Sequence, residues 1–508
     1  DSASPFSTAL GSGALGATPT GTSNTAVGYN AGATLSSGIH NVLVGTTAGT
    51  SLTTGGQNIA IGRSSLNDAT TSGNNVAIGH YALADVTTGT GSNVGIGFQA
   101  GRQVTTGQYN VLSGFQTGYA LTTGSNNTLI GQNAGYSLAT GSLNVVIGHY
   151  ALNNNVGGTG ITAIGAYAAT GANGTTNSVY IGKNAGYYTS GTQNVVIGYE
   201  AGDGSGATYE YSTIIGAGAG SAAMTGDYNT AVGYEAGNRI VGGQRNTLLG
   251  WAAGKLLTEG DYNVLLGSQT GYSITTGQRN VAIGDAALYS TTTGIQNVAI
   301  GTNALNENVT GAYNVAVGYY ALDKATTDHN TAVGTHAGQN ITTGERNVAM
   351  GFQAMMSGVV TGDDNVAIGY KAGRVITSGQ YNVMLGRDAG DAVTTGSNNI
   401  ALGQNSMGVS LGVTGSNNIA IGTDSGRDIT SALYTISIGY EAGANVTTAL
   451  NNVAIGRNAS GTLTTGDNNV AVGPTALYLN TGNSNTALGS SAGSTTTTGA
   501  NTTMLGYN

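Results

Sequence analysis

One phrase, Asn-Val-Ala-Ile-Gly or a close variant, returns from end to end of this sequence. Indexed by its closing glycine it occurs 29 times between Gly28 and Gly506, and 21 of the 28 intervals are 17 residues. The other intervals are 16, 18 or 19 residues. A fixed short period signals one supersecondary unit stacked many times, with each copy burying its neighbour's face. A chain of 508 residues would otherwise suggest several globular domains. The period predicts a single elongated repeat domain over 1–508, with repeats over 24–508. Residues 1–23 read as an N-terminal cap or degenerate first coil around Gly11-Ser12-Gly13-Ala14-Leu15-Gly16.

The columns of the repeat carry the fold. Three residues before each closing glycine stands Val, Ile or Thr; one before it stands Ile, Val, Leu or Met, with Ser113 the exception. The residue between them is mostly Ala, although Leu112, Val146, Tyr180 and Ile214 occur there. Two strict positions flanking a looser one have the period of a strand. On this pattern the strict pair is expected to face inward, so that Val76, Ile78, Val281, Ile283, Val453 and Ile455 form structural core. Asn opens the strand in 24 of the 29 copies, for example Asn75, Asn297 and Asn452. Such a column either passes amide hydrogen bonds from turn to turn or holds a corner. The closing glycine marks a positive φ or a close backbone approach.

Three residues after the glycine comes a small residue, usually Ala (Ala31, Ala100, Ala287, Ala442) and sometimes Thr117, Ser406 or Ser425. Then follows an apolar residue with a polar turn, as in Leu121–Gly124, Ile274–Gly277 and Ile341–Gly344. Its apolar residue is expected inside, and the Thr pair and Gly turn the chain. Gly and β-branched residues recur too often for a helix. The fold expected is therefore all-β, a parallel β-solenoid of about 29 coils with a 17-residue repeat. The longest interval, Gly403 to Gly422, reads as a local bulge around Met407-Gly408-Val409-Ser410-Leu411.

Composition removes several function classes. With 14 basic and 23 acidic residues the formal charge is −9, the wrong sign for nucleic acid or a polybasic membrane contact. No apolar run is long enough to span a bilayer, so no direct membrane insertion is expected. Asp1 to Pro5 carry neither the basic stretch nor the apolar core of a signal peptide. There is no Cys, hence no disulfide or thiolate site.

The candidate sites are few. Tyr29, Phe98, Phe115, Tyr199, Tyr234, Trp251, Tyr319, Phe352, Tyr370 and Tyr440 all follow a closing glycine directly, as do His80 and His149. They form a candidate packing or binding column, either stacking across turns and chains or offering a platform to a sugar or receptor. The histidines show no metal-ligand spacing, and no calcium-loop motif is present. No metal site or cofactor is expected, with Ca²⁺ at turn carboxylates such as Asp261 and the Asp363-Asp364 pair the one ion to weigh. Glu200 and Glu235 share a Gly-Tyr-Glu-Ala-Gly context, but two glycosidase carboxylates need a cleft. With no nucleophile elbow or phosphate loop, no catalytic residues are assigned and no enzyme is expected. Adjacent Thr residues on a strand point to opposite faces, which argues against a flat ice-binding rank.

Asn74–Gly79, Asn417–Gly422 and Asn451–Gly456 resemble the head repeat of trimeric autotransporter (YadA-like) adhesins. Similar Thr-Gly-x-x-Asn-Thr-Ala-x-Gly repeats occur in phage tail fibres and bacterial surface fibre proteins. The resemblance runs from about Thr8 to Asn508. It implies a left-handed β-roll, lateral packing of three chains, and adhesion to host matrix or neighbouring cells. The repeats here are longer than that family's, and neither its coiled-coil stalk nor its membrane barrel is seen in this sequence. The function expected is a non-enzymatic extracellular structural or adhesive fibre at a cell surface. Its partner is itself, as a homotrimer or an end-to-end filament, together with a host or neighbouring cell surface. A phage tail-fibre shaft or receptor-binding protein is the alternative, followed by an ice-binding or carbohydrate-binding solenoid.

Overall fold

The computed structural model describes residues 6–89, 91–408 and 412–507. Val409, Ser410 and Leu411 of the expected bulge lie outside them, as do Asp1 to Pro5 and Asn508. The chain divides into two compact units, Asp1–Glu259 and Gly260–Asn508. The first holds strands β1 (Thr8–Leu10) to β15 (Thr247–Leu249), and the second β16 (Val264–Leu266) to β30 (Thr503–Leu505). Every strand has three residues, and within each unit neighbours pair parallel and in register. Ile59 lies against Val76 in the first unit, and Val281 against Val298 in the second. The architecture is an all-β parallel β-solenoid of about 29 coils with a roughly 17-residue repeat.

The first coil starts earlier than the glycine-rich stretch at 11–16 suggests. Thr8 pairs with Thr25 and Leu10 with Val27, so Thr8-Ala9-Leu10-Gly11 is itself a copy of the repeat. It has the same letters as Thr486-Ala487-Leu488-Gly489.

The strands face the opposite way from the expectation. Val76 and Ile78 are half-exposed and Ala77 between them is fully buried. Likewise Ala282 is buried between Val281 and Ile283, and Ala454 between Val453 and Ile455. Ile283 and Ile455 are 37% and 36% exposed. None of the six residues assigned to the core is in it. The reason is room. A coil this short encloses a narrow lumen, which takes one side chain from a three-residue strand rather than two. The alternation of the strand then sends the branched pair outward.

Volume compensation within each coil fills the lumen. Where the central strand residue is large, as at Leu43, Leu129, Tyr180, Leu265 and Met384, the residue six positions on is glycine: Gly49, Gly135, Gly186, Gly271 and Gly390. A Cβ on Gly271 would lie 2.7 Å from Leu265 Cδ1. Where the later position is Leu, as at Leu83, Leu288, Leu305 and Leu322, the central residue is Ala, with Leu152 beside Val146 the exception. The third lumen position is the apolar residue of the polar turn, and Leu121, Ile274 and Ile341 are fully buried there, as expected. So are Ala31, Ala100, Ala287, Ala442, Thr117, Ser406 and Ser425. The fit is close-packed in the manner of protein cores generally.

The buried Asn column does both things the sequence allows. Asn58 donates its backbone N–H and its Nδ2 to Asn41 Oδ1, at 3.0 and 3.1 Å. Its Nδ2 also donates to the carbonyl of Ser72, which belongs to the following turn, at 3.0 Å. One side chain thereby joins the coil before to the coil after. Asn itself is not left-handed. The residue before it is, as at Asn74 (φ 60) and Tyr109 (φ 58), which turns its side chain out of the coil. The closing glycine meets both conditions considered for it. Gly79 has φ +135, and a Cβ there would lie 2.4 Å from the Gly97 carbonyl oxygen.

Candidate functional site

The inverted strand leaves an apolar strip on the surface. Each coil contributes its outward pair, and these pairs stack in register along a unit. Ile61 (38%), Ile96 (41%) and Leu249 (49%) are representative of the more open members. Monomeric proteins rarely expose a continuous apolar patch beyond a few hundred Å². A strip renewed at every coil of a unit exceeds that within a few repeats.

Aromatic residues border the strip on both sides. On one side stands the column that follows the closing glycine. Tyr29, Phe98, Phe115, Tyr199, Tyr234, Trp251, Tyr319, Phe352, Tyr370 and Tyr440 are all exposed, between 38% and 58%. Neighbours in this column stack across coils, Phe98 on Phe115 at 5.1 Å and Phe352 on Tyr370 at 5.6 Å between ring centroids. His80 joins it edge-on to Phe98. On the other side stands a column that the sequence reading missed, formed by the left-handed residue before each ladder position, whether Asn or its replacements Ser212 and Thr435. Tyr109, Tyr211, Tyr228, Tyr262, Tyr313, Tyr381 and Tyr434 occupy it, all exposed. Tyr211 stacks on Tyr228 at 5.1 Å, and Arg245 and Arg279 lie over the rings of Tyr228 and Tyr262. The signal was in the sequence as a recurrent residue, often Tyr, Arg, Asn or Gln, directly before the ladder position. An apolar centre with aromatic and Arg borders is the composition of a protein–protein contact surface.

The acidic turn candidates are engaged within the protein. Asp364 accepts two hydrogen bonds from Arg346, at 2.8 and 3.0 Å, which hold its carboxyl below the usual range. Asp363 accepts the backbone N–H of Glu345 at 2.9 Å. Glu235 pairs with Lys255 at 2.7 Å. Among the described residues no three His, Asp or Glu side chains gather as a metal site, and no helix is long and apolar enough to cross a membrane. No family model matches the chain, and no curated protein matches it.

Proposed function

We propose that the chain is an extracellular structural fibre protein that self-associates side by side through the outward strand face. The observation that carries this reading is the orientation of the strands. Val281 and Ile283, with their counterparts in other coils, are half-exposed around a buried Ala282. Burying such a strip is favourable at about 25 cal/mol per Å² of apolar area, and a second copy of the chain supplies a matching strip at the same spacing. The resemblance to trimeric adhesin heads makes three copies the expected number, with a cell surface or fibre as its setting. The composition supports that setting: the chain is acidic, carries few charges and is rich in Asn, Thr and Ser. End-to-end growth into a filament is the other mode of self-association to be distinguished.

Multi-angle light scattering with negative-stain imaging tests the reading. Discrete particles of three chains are expected, and lysine at Val281, Ile283, Val298 and Ile300 should lower the mass while leaving the circular dichroism unchanged. A wild-type chain that stays monomeric at tens of micromolar overturns lateral association.

A further inference from the structure

One stretch of the first unit departs from the regular coil. The interval from Gly182 to Gly198 is 16 residues and the next, to Gly216, is 18. Ser178 and Ser212 replace the ladder Asn, and two tyrosines, Tyr180 and Tyr209, are fully buried. At the surface of the same coils lies a groove of about 350 Å³, lined by Tyr167, Lys183, Asn184, Tyr187, Tyr188 and Asp203. That volume falls within the range of small-ligand sites, about 300–1,000 Å³.

Its walls are held in place. Tyr167 stacks flat on Tyr150, with ring centroids 5.6 Å apart and planes 2° from parallel. Tyr187 meets Tyr167 at 62° and Tyr188 at 89°, so the three rings present differently inclined faces. Tyr188 lies against Gly171, where a Cβ would approach its Cδ1 to 3.2 Å. Around the rings the groove offers both hydrogen-bonding senses: Lys183 and the Asn184 amide donate, and the half-buried Asp203 accepts.

We infer that this groove binds a neutral pyranose sugar, one or two rings of a longer glycan. The C–H face of a pyranose packs on the negative face of an aromatic ring, and its alternating hydroxyls need donors and acceptors close together. The charges select against other ligands. Lys183 opposes an organic cation that would otherwise suit an aromatic cage. Asp203, with Glu200 nearby, opposes an anion. The site is complete within one chain. It adds a binding activity to the proposed fibre and rests on that reading only for its display, not for its chemistry.

Calorimetric titration of the full chain with cellohexaose, maltohexaose and chitohexaose tests the assignment, with choline and a sulfated heparin hexasaccharide as charged probes. At least one neutral hexasaccharide is expected to bind with a millimolar or tighter Kd. Tyr188→Ala and Asp203→Asn should each weaken it at least tenfold, and Tyr289→Ala, in the separate Tyr272–Tyr289 stack, should leave it within twofold. Absence of binding by all three neutral probes overturns the inference. So does insensitivity to both groove substitutions, or tighter binding of either charged probe. The four-lysine variant of the strand face should bind the sugar like the wild type, which separates failure of this site from failure of self-association.

Discussion

Asn280 sends two hydrogen bonds to a single atom of Asn263: its backbone N–H and its Nδ2 both donate to Oδ1, each at 3.1 Å. Asn297 repeats the arrangement on Asn280 at 3.0 and 3.2 Å. All three side chains are fully buried, so no water replaces a lost partner.

Replacing Asn280 by Ala should therefore cost about 2–4 kcal/mol, because it strands the Asn297 N–H and removes a donor from the Gly294 carbonyl. Serine should cost less, since Ser212 already accepts the Asn229 N–H in this protein at 3.1 Å. Aspartate should cost more at pH 7 than at pH 4, because a buried carboxylate has no donor to offer its neighbours. Denaturant melts of the three variants, with hydrogen exchange at the affected coils, check the order.

The lumen compensation predicts a rescue. Leu265→Ala alone opens a cavity and should cost about 2–5 kcal/mol. Gly271→Leu alone overfills the coil, since even a Cβ there meets Leu265 at 2.7 Å and Ile274 at 2.8 Å. Combining both with Ile274→Thr copies the set Ala282, Leu288 and Thr291 of the next coil. The triple variant should recover most of the loss, as read from its melting temperature.

Strand orientation can be tested with one charge placed at adjacent positions. Lysine at Ala282, which is fully buried, should unfold its coil. Lysine at Val281, on the outward face, should change the stability of the isolated chain by no more than about 0.5 kcal/mol. Equal damage from the two substitutions would contradict the observed orientation.

Burial, and then the neighbouring Glu200, push the Asp203 carboxyl up to about 6. The folded chain holds that proton where the unfolded chain has released it. Stability from this group is therefore present at low pH and falls as pH rises between about 4 and 6. Asp203→Asn should stabilise its coil at pH 7, by less than about 1 kcal/mol after solvent screening, and the gain should vanish near pH 4. Local hydrogen exchange at the two pH values measures it.

Period, strand placement and parallel stacking were all legible in the sequence, because each rests on columns that repeat without interruption. Strand orientation was misread because bulk was taken as the sign of burial. In a narrow lumen the informative column is the variable one, where Leu43 answers Gly49 and Ala77 answers Leu83. The first coil was hidden by an attractive glycine cluster beside the plainer Thr8-Ala9-Leu10-Gly11. The sugar groove draws Tyr167, Tyr187, Tyr188 and Asp203 from three columns of three coils, Tyr187 and Asp203 sharing one. No single column marks it, although the 16- and 18-residue intervals flag the place.

The Asn ladder has a consequence for how such a chain changes length. Each coil that carries the Asn offers its successor the same oxygen and asks the same of its predecessor, so two such coils that were never adjacent can meet and find the junction already complementary. Duplication or loss of one whole repeat leaves no mismatched seam to repair. The number of coils is then free to drift, held only by whatever span the assembled protein has to cover.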